Sequence, residues 1–141
     1  MKKSIRSVLA VLLALLCLLS LAACKKTDAN DPWKDAAYTK DTTFGEGAKT
    51  VAVDVVVGEH KITFTVKTDA ETVGGALMEH GLIDGDQGEF GLYLKKVNGI
   101  TADYDVDKSY WAFYVNGEYA MSGVDTTTVE NGAEYSFKIE K

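Results

Sequence analysis

Alternation of apolar and polar side chains marks several stretches of this chain as strands. Val51, Val53, Val55 and Val57 alternate with Ala52, Asp54 and Val56, which predicts a strand with one buried face. Gly58-Glu59 turns the chain. Ile62, Phe64 and Val66 then alternate with Lys61, Thr63, Thr65 and Lys67 and complete a hairpin. The period changes at Thr68-Asp69-Ala70-Glu71, which has the spacing of a capping box, where a hydroxyl and a carboxylate satisfy the first free N–H groups of a helix. The helix runs to about His80, with Val73, Ala76, Leu77 and His80 on one stripe and Gly81 where a left-handed C-cap belongs. Gly74-Gly75 inside it costs about 1 kcal/mol per glycine against alanine, and close approach of the helix to a sheet would account for that cost. Leu82–Gly91 reads as a glycine- and acid-rich loop. Phe90–Val97 reads as a strand, Asn98-Gly99 as a turn and Ile100–Lys108 as irregular chain. Near the end, Val124–Val129 is a short strand or turn, Asn131-Gly132 turns again, and Tyr135, Phe137 and Ile139 alternate in a last strand.

Ser109–Gly123, reading SYWAFYVNGEYAMSG, is the stretch around which the rest is organised. Asn116-Gly117 is a strong hairpin signal, because a type I′ turn needs positive φ at both central residues. A two-residue turn pairs Val115 with Glu118, Tyr114 with Tyr119, Phe113 with Ala120 and Ala112 with Met121. Paired residues share a face, so Tyr110, Ala112, Tyr114, Tyr119 and Met121 lie on one side and Trp111, Phe113, Val115 and Ala120 on the other. Both sides are apolar and aromatic. The simplest arrangement buries Trp111, Phe113 and Val115 under the helix and leaves the tyrosine side facing away; the exchanged arrangement is the alternative. The tyrosine side is then either a binding surface or a second core, covered by Ile100–Lys108 or by the segment that carries Trp33 and Phe44. Tyrosine offers a ring with a hydroxyl and methionine an adaptable shape, so this side suits a flat, partly apolar ligand.

The element order is hairpin, helix, then further strands. This is an α+β layout, a β-grasp-like mixed sheet with one main helix packed on one face. Ahead of it, residues 1–23 carry Lys2, Lys3 and Arg6, then an apolar run from Val8 to Ala23 broken only by Ser20. That is the layout of a secretory signal peptide, and the run is short for a membrane span. Leu21-Ala22-Ala23-Cys24 resembles the bacterial lipobox. The resemblance implies a diacylglyceryl thioether on Cys24 and a protein outside the cytoplasm, anchored to the bacterial membrane. Residues 24–47 then form the lipidated cysteine and a flexible tether, with the only proline at Pro32, and residues 48–141 form the domain. Trp33, Tyr38 and Phe44 are unusual in a spacer, and either dock on the domain or meet lipid head groups.

Charge and cysteine content narrow the function. The formal charge is −6, and the basic leader holds no acid, so the remainder carries −9. Phosphate repels such a surface, so nucleic acid is not a partner. The two cysteines are Cys17, in the leader, and Cys24, so the exported domain has no disulfide and no cysteine metal site. His60 and His80 are the only histidines, and no nucleophile motif surrounds Ser109, Ser122 or Ser136. Asp84–Glu89 fails the EF-hand pattern, which needs glycine at the sixth position and a bidentate glutamate at the twelfth. Asp103, Asp105 and Asp107 alternate, which suits a weak hard-cation site or a solvated acidic loop. These features predict a binding protein rather than an enzyme.

From Val51 onward the pattern resembles the transcobalamin-like C-terminal domain family of Gram-positive lipoproteins. The residues that carry it are Thr72-Val73-x-x-Ala76-Leu77, Val97-Asn98-Gly99-Ile100, Tyr110-Trp111-x-Phe113-Tyr114-Val115-Asn116-Gly117-Glu118, Gly123 and Asn131-Gly132-Ala133. The resemblance implies the β-grasp-like fold and, as ligand, a corrinoid (cobalamin-like) held by the hairpin. The vertebrate carriers enclose theirs with a second, helical domain that this chain has no room for. The residues expected to meet the ligand are Tyr110, Tyr114, Asn116, Tyr119 and Met121. The alternative is a module that contacts a protein or glycan of the cell envelope.

Overall fold

The computed structural model describes residues 30–141, and its compact unit spans Pro32–Lys141. The leader, Cys17 and Cys24 lie outside the described residues. The unit is mixed α+β, mostly strands, in two sheets.

The larger sheet has six strands. β1 (Thr42–Phe44), β2 (Lys49–Val57), β3 (His60–Thr68), β7 (Tyr110–Val115), β8 (Glu118–Tyr119) and β9 (Glu134–Glu140) lie in the order β1-β3-β2-β9-β7-β8. β2 and β3 form the expected hairpin, in register from Lys49 opposite Thr68 to Val57 opposite His60. β2 runs parallel to β9, and β9 antiparallel to β7. Val51, Val53, Val55 and Val57 of β2 and Ile62, Phe64 and Val66 of β3 are buried on one face with Trp111, Phe113, Tyr135 and Phe137. Burying each such side chain contributes about 1.5–3 kcal/mol.

The second sheet is a correction. Leu82–Gly91 is not a loop, because β4 (Ile83–Gly88) pairs with β5 (Gly91–Val97), and β5 with β6 (Ile100–Thr101). Only Ile83 of β4 is buried, so this strand shows no alternation for a sequence to reveal. A bulge at Asp84/Gly85 interrupts its register, and a side chain at Gly85 would run into the Tyr93 carbonyl. Ile83, Val97 and Ile100 join the core, so the helix shares the inner face with this sheet rather than covering it alone. Ile100–Lys108 likewise holds β6 and a short helix, α2 (Tyr104–Asp107).

The main helix, α1, is shorter than expected, Val73–Met78. Its N-cap is Thr72, whose hydroxyl accepts from the Gly75 N–H at 3.1 Å; the hydroxyl of Thr68 instead accepts from Ala70. Gly81 has φ 65°, as the left-handed end requires. The close approach at Gly74 is to the loop after Gly123, not to the sheet. Its N–H donates to the Val124 carbonyl at 2.9 Å, and a Cβ there would collide with the Asp125 carboxylate.

The tether expected over residues 24–47 is also corrected for its second half. Residues from Pro32 onward belong to the fold. Trp33 stacks on His60 at 4.9 Å, β1 pairs with β3 in parallel, and the Phe44 ring meets Phe64 edge-on at 5.4 Å. Asn98, buried at φ 52°, clamps the segment: its Oδ1 accepts from the Tyr38 N–H and its Nδ2 donates to the Tyr38 carbonyl, both at 2.9 Å. Ring contacts of half-buried Trp33 and Phe44 and paired main chain hold residues 32–44 where a spacer would have neither.

Candidate functional site

β7 has two faces, and the structure treats them differently. Trp111 and Phe113 point inward and are 5% and 8% exposed. The Trp111 indole N–H donates to the Ile100 carbonyl at 3.1 Å, and Phe113 stacks on Phe137 at 5.1 Å. Tyr110 and Tyr114 point outward and remain half-exposed.

Neither helix nor second sheet covers the outward face, so its character is set by cross-strand neighbours. One row runs across the sheet from Thr63 through Asp54, Ser136 and Tyr114 to Tyr119, and the next from Lys61 through Val56 and Lys138 to Ala112. Small or short side chains in the middle leave a groove of about 340 Å³ lined by Asp54, Val56, Lys61, Tyr114, Glu134, Ser136 and Lys138. The Tyr114 hydroxyl donates to Glu140 Oε1 at 2.6 Å, and Tyr110 donates to Oε2 of the same carboxylate at 3.3 Å. The charge-assisted bond to Glu140, helped by desolvation, pushes the Tyr114 phenol up to about 12. Tyr110 is raised as well, by desolvation first and then by Glu140. Lys138 Nζ sits 4.8 Å from the Tyr114 ring centroid, and Tyr119 meets that ring edge-on at 5.5 Å. On the floor, Asp54 takes the Thr63 hydroxyl at 2.6 Å and the Lys61 ammonium at 2.8 Å, which raises the Lys61 pKa.

Tyr110, Tyr114 and Tyr119 therefore gather as the hairpin register predicts. Asn116 occupies the turn at φ 49° and its side chain is committed there: Oδ1 accepts from the Glu134 N–H at 2.9 Å. Met121 is not on this face. β8 stops at Tyr119, and after the bond from the Ala120 N–H to the Phe113 carbonyl the chain leaves the sheet, so Ala112 and Met121 do not pair. Burial of Val124, and the grip of Asp125 on the Leu92 N–H at 2.9 Å, draw it away. Met121 ends 98% exposed, on the rim of a different groove. Lys138, Glu140, Asp54 and Ser136 are the site residues that sequence reading missed. Alternation about Phe137 sends Ser136, Lys138 and Glu140 outward, but only the parallel pairing of β2 with β9 brings Asp54 beside them.

The remaining candidates resolve into structural roles. Asp103 caps α2 through the Asp105 N–H, and Asp107 holds the Ser109 hydroxyl and N–H, which lowers its pKa. Asp86 pairs with Lys95 at 2.7 Å. Among the described residues, no group of three His, Cys, Asp or Glu side chains is placed to hold a metal ion. His80 lies beside Phe44, with its Nε2 buried and without a hydrogen-bond partner.

Residues 70–141 match a family described as a domain of unknown function, DUF4430. No curated protein matches. Among solved structures, a candidate metal binding protein of Ruminococcus gnavus is 31% identical, with a TM-score of 0.62 over 66% of this chain and 97% of its own. Haptocorrin in complex with Cbi shares the fold at 19% identity and a TM-score of 0.57, over 70% of this chain. The match spans 26% of haptocorrin, so this chain corresponds to one part of that longer protein. Family match and fold agree with the likeness carried by the hairpin motif, and the chain belongs to the DUF4430 family of transcobalamin-like domains.

Proposed function

We propose that this protein is a membrane-anchored, extracytoplasmic ligand-binding lipoprotein, tethered through Cys24, that holds a flat, partly apolar ligand on the outward face of its hairpin. One observation carries this reading. Trp111 and Phe113 are turned into the core, whereas Tyr114 lines an open groove of about 340 Å³ on the outward face, with Tyr119 against its ring and Tyr110 sharing the Glu140 carboxylate with it. That volume is at the lower end for small-molecule sites, which fits a ligand held on one side. Ring faces supply stacking area, and Glu140, Lys138 and Ser136 supply acceptors and donors for a polar periphery. A corrinoid has this shape and chemistry, and the fold shared with haptocorrin favours it as the first ligand to try.

Titration of the purified protein with cobalamin and with cobinamide, followed by absorbance and calorimetry, tests the ligand. Saturable binding that weakens about tenfold in Tyr114→Ala is the expected outcome. A flat titration at high micromolar ligand ends the corrinoid reading. Fractionation tests the anchor separately, since Cys24→Ser should move the protein from membranes to the soluble fraction.

A further inference from the structure

A second surface lies along the free side of β7. In an antiparallel strand, alternate residues turn their main-chain N–H and C=O to opposite neighbours. Asn116 bonds β9 through its N–H to the Glu134 carbonyl, and Phe113 bonds the other way, to Ala120. By that alternation Trp111 turns its main-chain groups to the same side as Phe113. Among the described residues, the pairing on that side covers only Tyr114 and Val115, with the single Ala120 bond beyond. Where the rest of β8 would lie there is a groove of about 270 Å³, lined by Leu92, Leu94, Phe113, Ala120, Met121 and Val124 among others. Large apolar side chains collect around this edge. Met121 is 98% exposed and Tyr119 57%, and both line this groove. Exposed carboxylates stand at both ends, Asp105 and Asp107 on α2 and Glu118 at the hairpin tip.

We propose that this edge takes up an extended polypeptide segment of another protein by strand addition to β7, the segment being apolar on one face and flanked by lysine or arginine. Main-chain bonds to Trp111 and to the Phe113 N–H give the register, the Phe113 carbonyl already accepting from Ala120. Alternate apolar side chains enter the groove over Leu92 and Leu94, and the flanking cations meet Asp105, Asp107 and Glu118. Natural sheets protect long apolar edges. The opposite edge of this sheet is the three-residue β1, and this one ends in a two-residue strand beside an apolar groove. The two grooves share no lining residue, and Tyr119, which lines this one, touches the other only through the Tyr114 ring.

The probe is an acetylated, amidated peptide of sequence KVTVTVK, added to the full folded protein and followed by amide NMR. The expected result is shifted resonances and slowed hydrogen exchange at Trp111 and Phe113. Two further peptides, N-methylated at every valine or at every threonine, make the test specific. In an added strand one set of amides faces β7 and the other faces away, so one methylated peptide should lose at least about tenfold in affinity and the other should bind like the parent. Glu118→Lys should weaken the parent peptide without disturbing the fold. No change at Trp111 and Phe113, or equal binding by all three peptides, overturns the proposal.

Discussion

Asn98 offers the sharpest test of whether residues 32–44 belong to the fold. Its carboxamide makes both bonds to the Tyr38 main chain at 2.9 Å, and its own carbonyl accepts from the Ala37 N–H at 2.8 Å. Asn98→Ala removes the two side-chain bonds. Each contributes about 1 kcal/mol, at the low end here because Tyr38 is partly exposed and water can replace some of what is lost. The substitution also places a Cβ-bearing residue without a local hydrogen bond at φ 52°, which costs about 1 kcal/mol more. The expected loss is about 2–3 kcal/mol. Asn98→Gly suffers only the first part, because glycine accepts positive φ freely, so the two variants separate bonding from backbone.

Urea unfolding measures the totals, and limited proteolysis locates them. If Asn98 clamps the segment, Asn98→Ala should expose cleavage sites between residues 36 and 44 before the β2–β3 hairpin is cut, as a locally weakened unit opens first. Unfolding free energies of both variants within about 0.5 kcal/mol of the parent, with an unchanged digestion pattern, would refute the reasoning and return residues 32–47 to the role of a spacer.

Other consequences follow from single contacts. Gly74→Ala should destabilise, because its Cβ meets the Asp125 carboxylate, whereas Gly75→Ala meets the Thr72 hydroxyl at 3.3 Å and the Ala70 Cβ at 3.7 Å and should gain up to about 1 kcal/mol of helix propensity; thermal unfolding distinguishes them. Thr72→Ala should cost about 1 kcal/mol by removing the N-cap, and Thr72→Ser should restore most of it in the same measurement. Tyr114 should ionise near pH 12 in an ultraviolet titration, and Glu140→Gln should bring it back toward 10. Because the folded phenol is raised above its unfolded value, its contribution to stability is complete below pH 10 and disappears as pH climbs through 12. A Tyr114 titration unmoved by Glu140→Gln would dismiss the hydrogen bond as its cause.

The elements that a sequence makes legible are those whose burial alternates. β2 and β3 bury every second residue for most of their length, and β9 alternates in its apolar residues Tyr135, Phe137 and Ile139 although Ser136 is buried between them; each is visible in the apolar pattern. The Asn116-Gly117 turn is legible for a different reason, since both residues carry positive φ. β4 is illegible because an edge strand that buries only Ile83 looks like a loop. β1 is illegible because its three residues pair in parallel with a strand about 20 positions away, which no local period records. The site divides along the same line. Tyr110, Tyr114 and Tyr119 follow from the hairpin register, whereas Met121 is lost to it because Asp125 and Val124 fix the chain elsewhere. Asp54 enters only through the parallel pairing of β2 with β9, a contact made across most of the domain sequence.

An antiparallel edge can leave one face in water if that face carries polar groups, and the hairpin meets this condition through the tips of its rings. Glu140 satisfies the hydroxyls of Tyr110 and Tyr114, and Lys138 lies over the Tyr114 ring, so the outward face is stable with nothing on it. The same arrangement is compatible with the proposed ligand. An exposed cation–π contact is worth about 0.5–1 kcal/mol, so a flat ligand displaces Lys138 from Tyr114 at small cost. The displaced ammonium and the Glu140 carboxylate then stand beside the ligand's rim. The inward rings have no comparable freedom, since Trp111 is tied to Ile100 and Phe113 is stacked between β9 and the second sheet. Difference in removable cover, rather than in aromatic content, is what separates the proposed binding face of this strand from its core face.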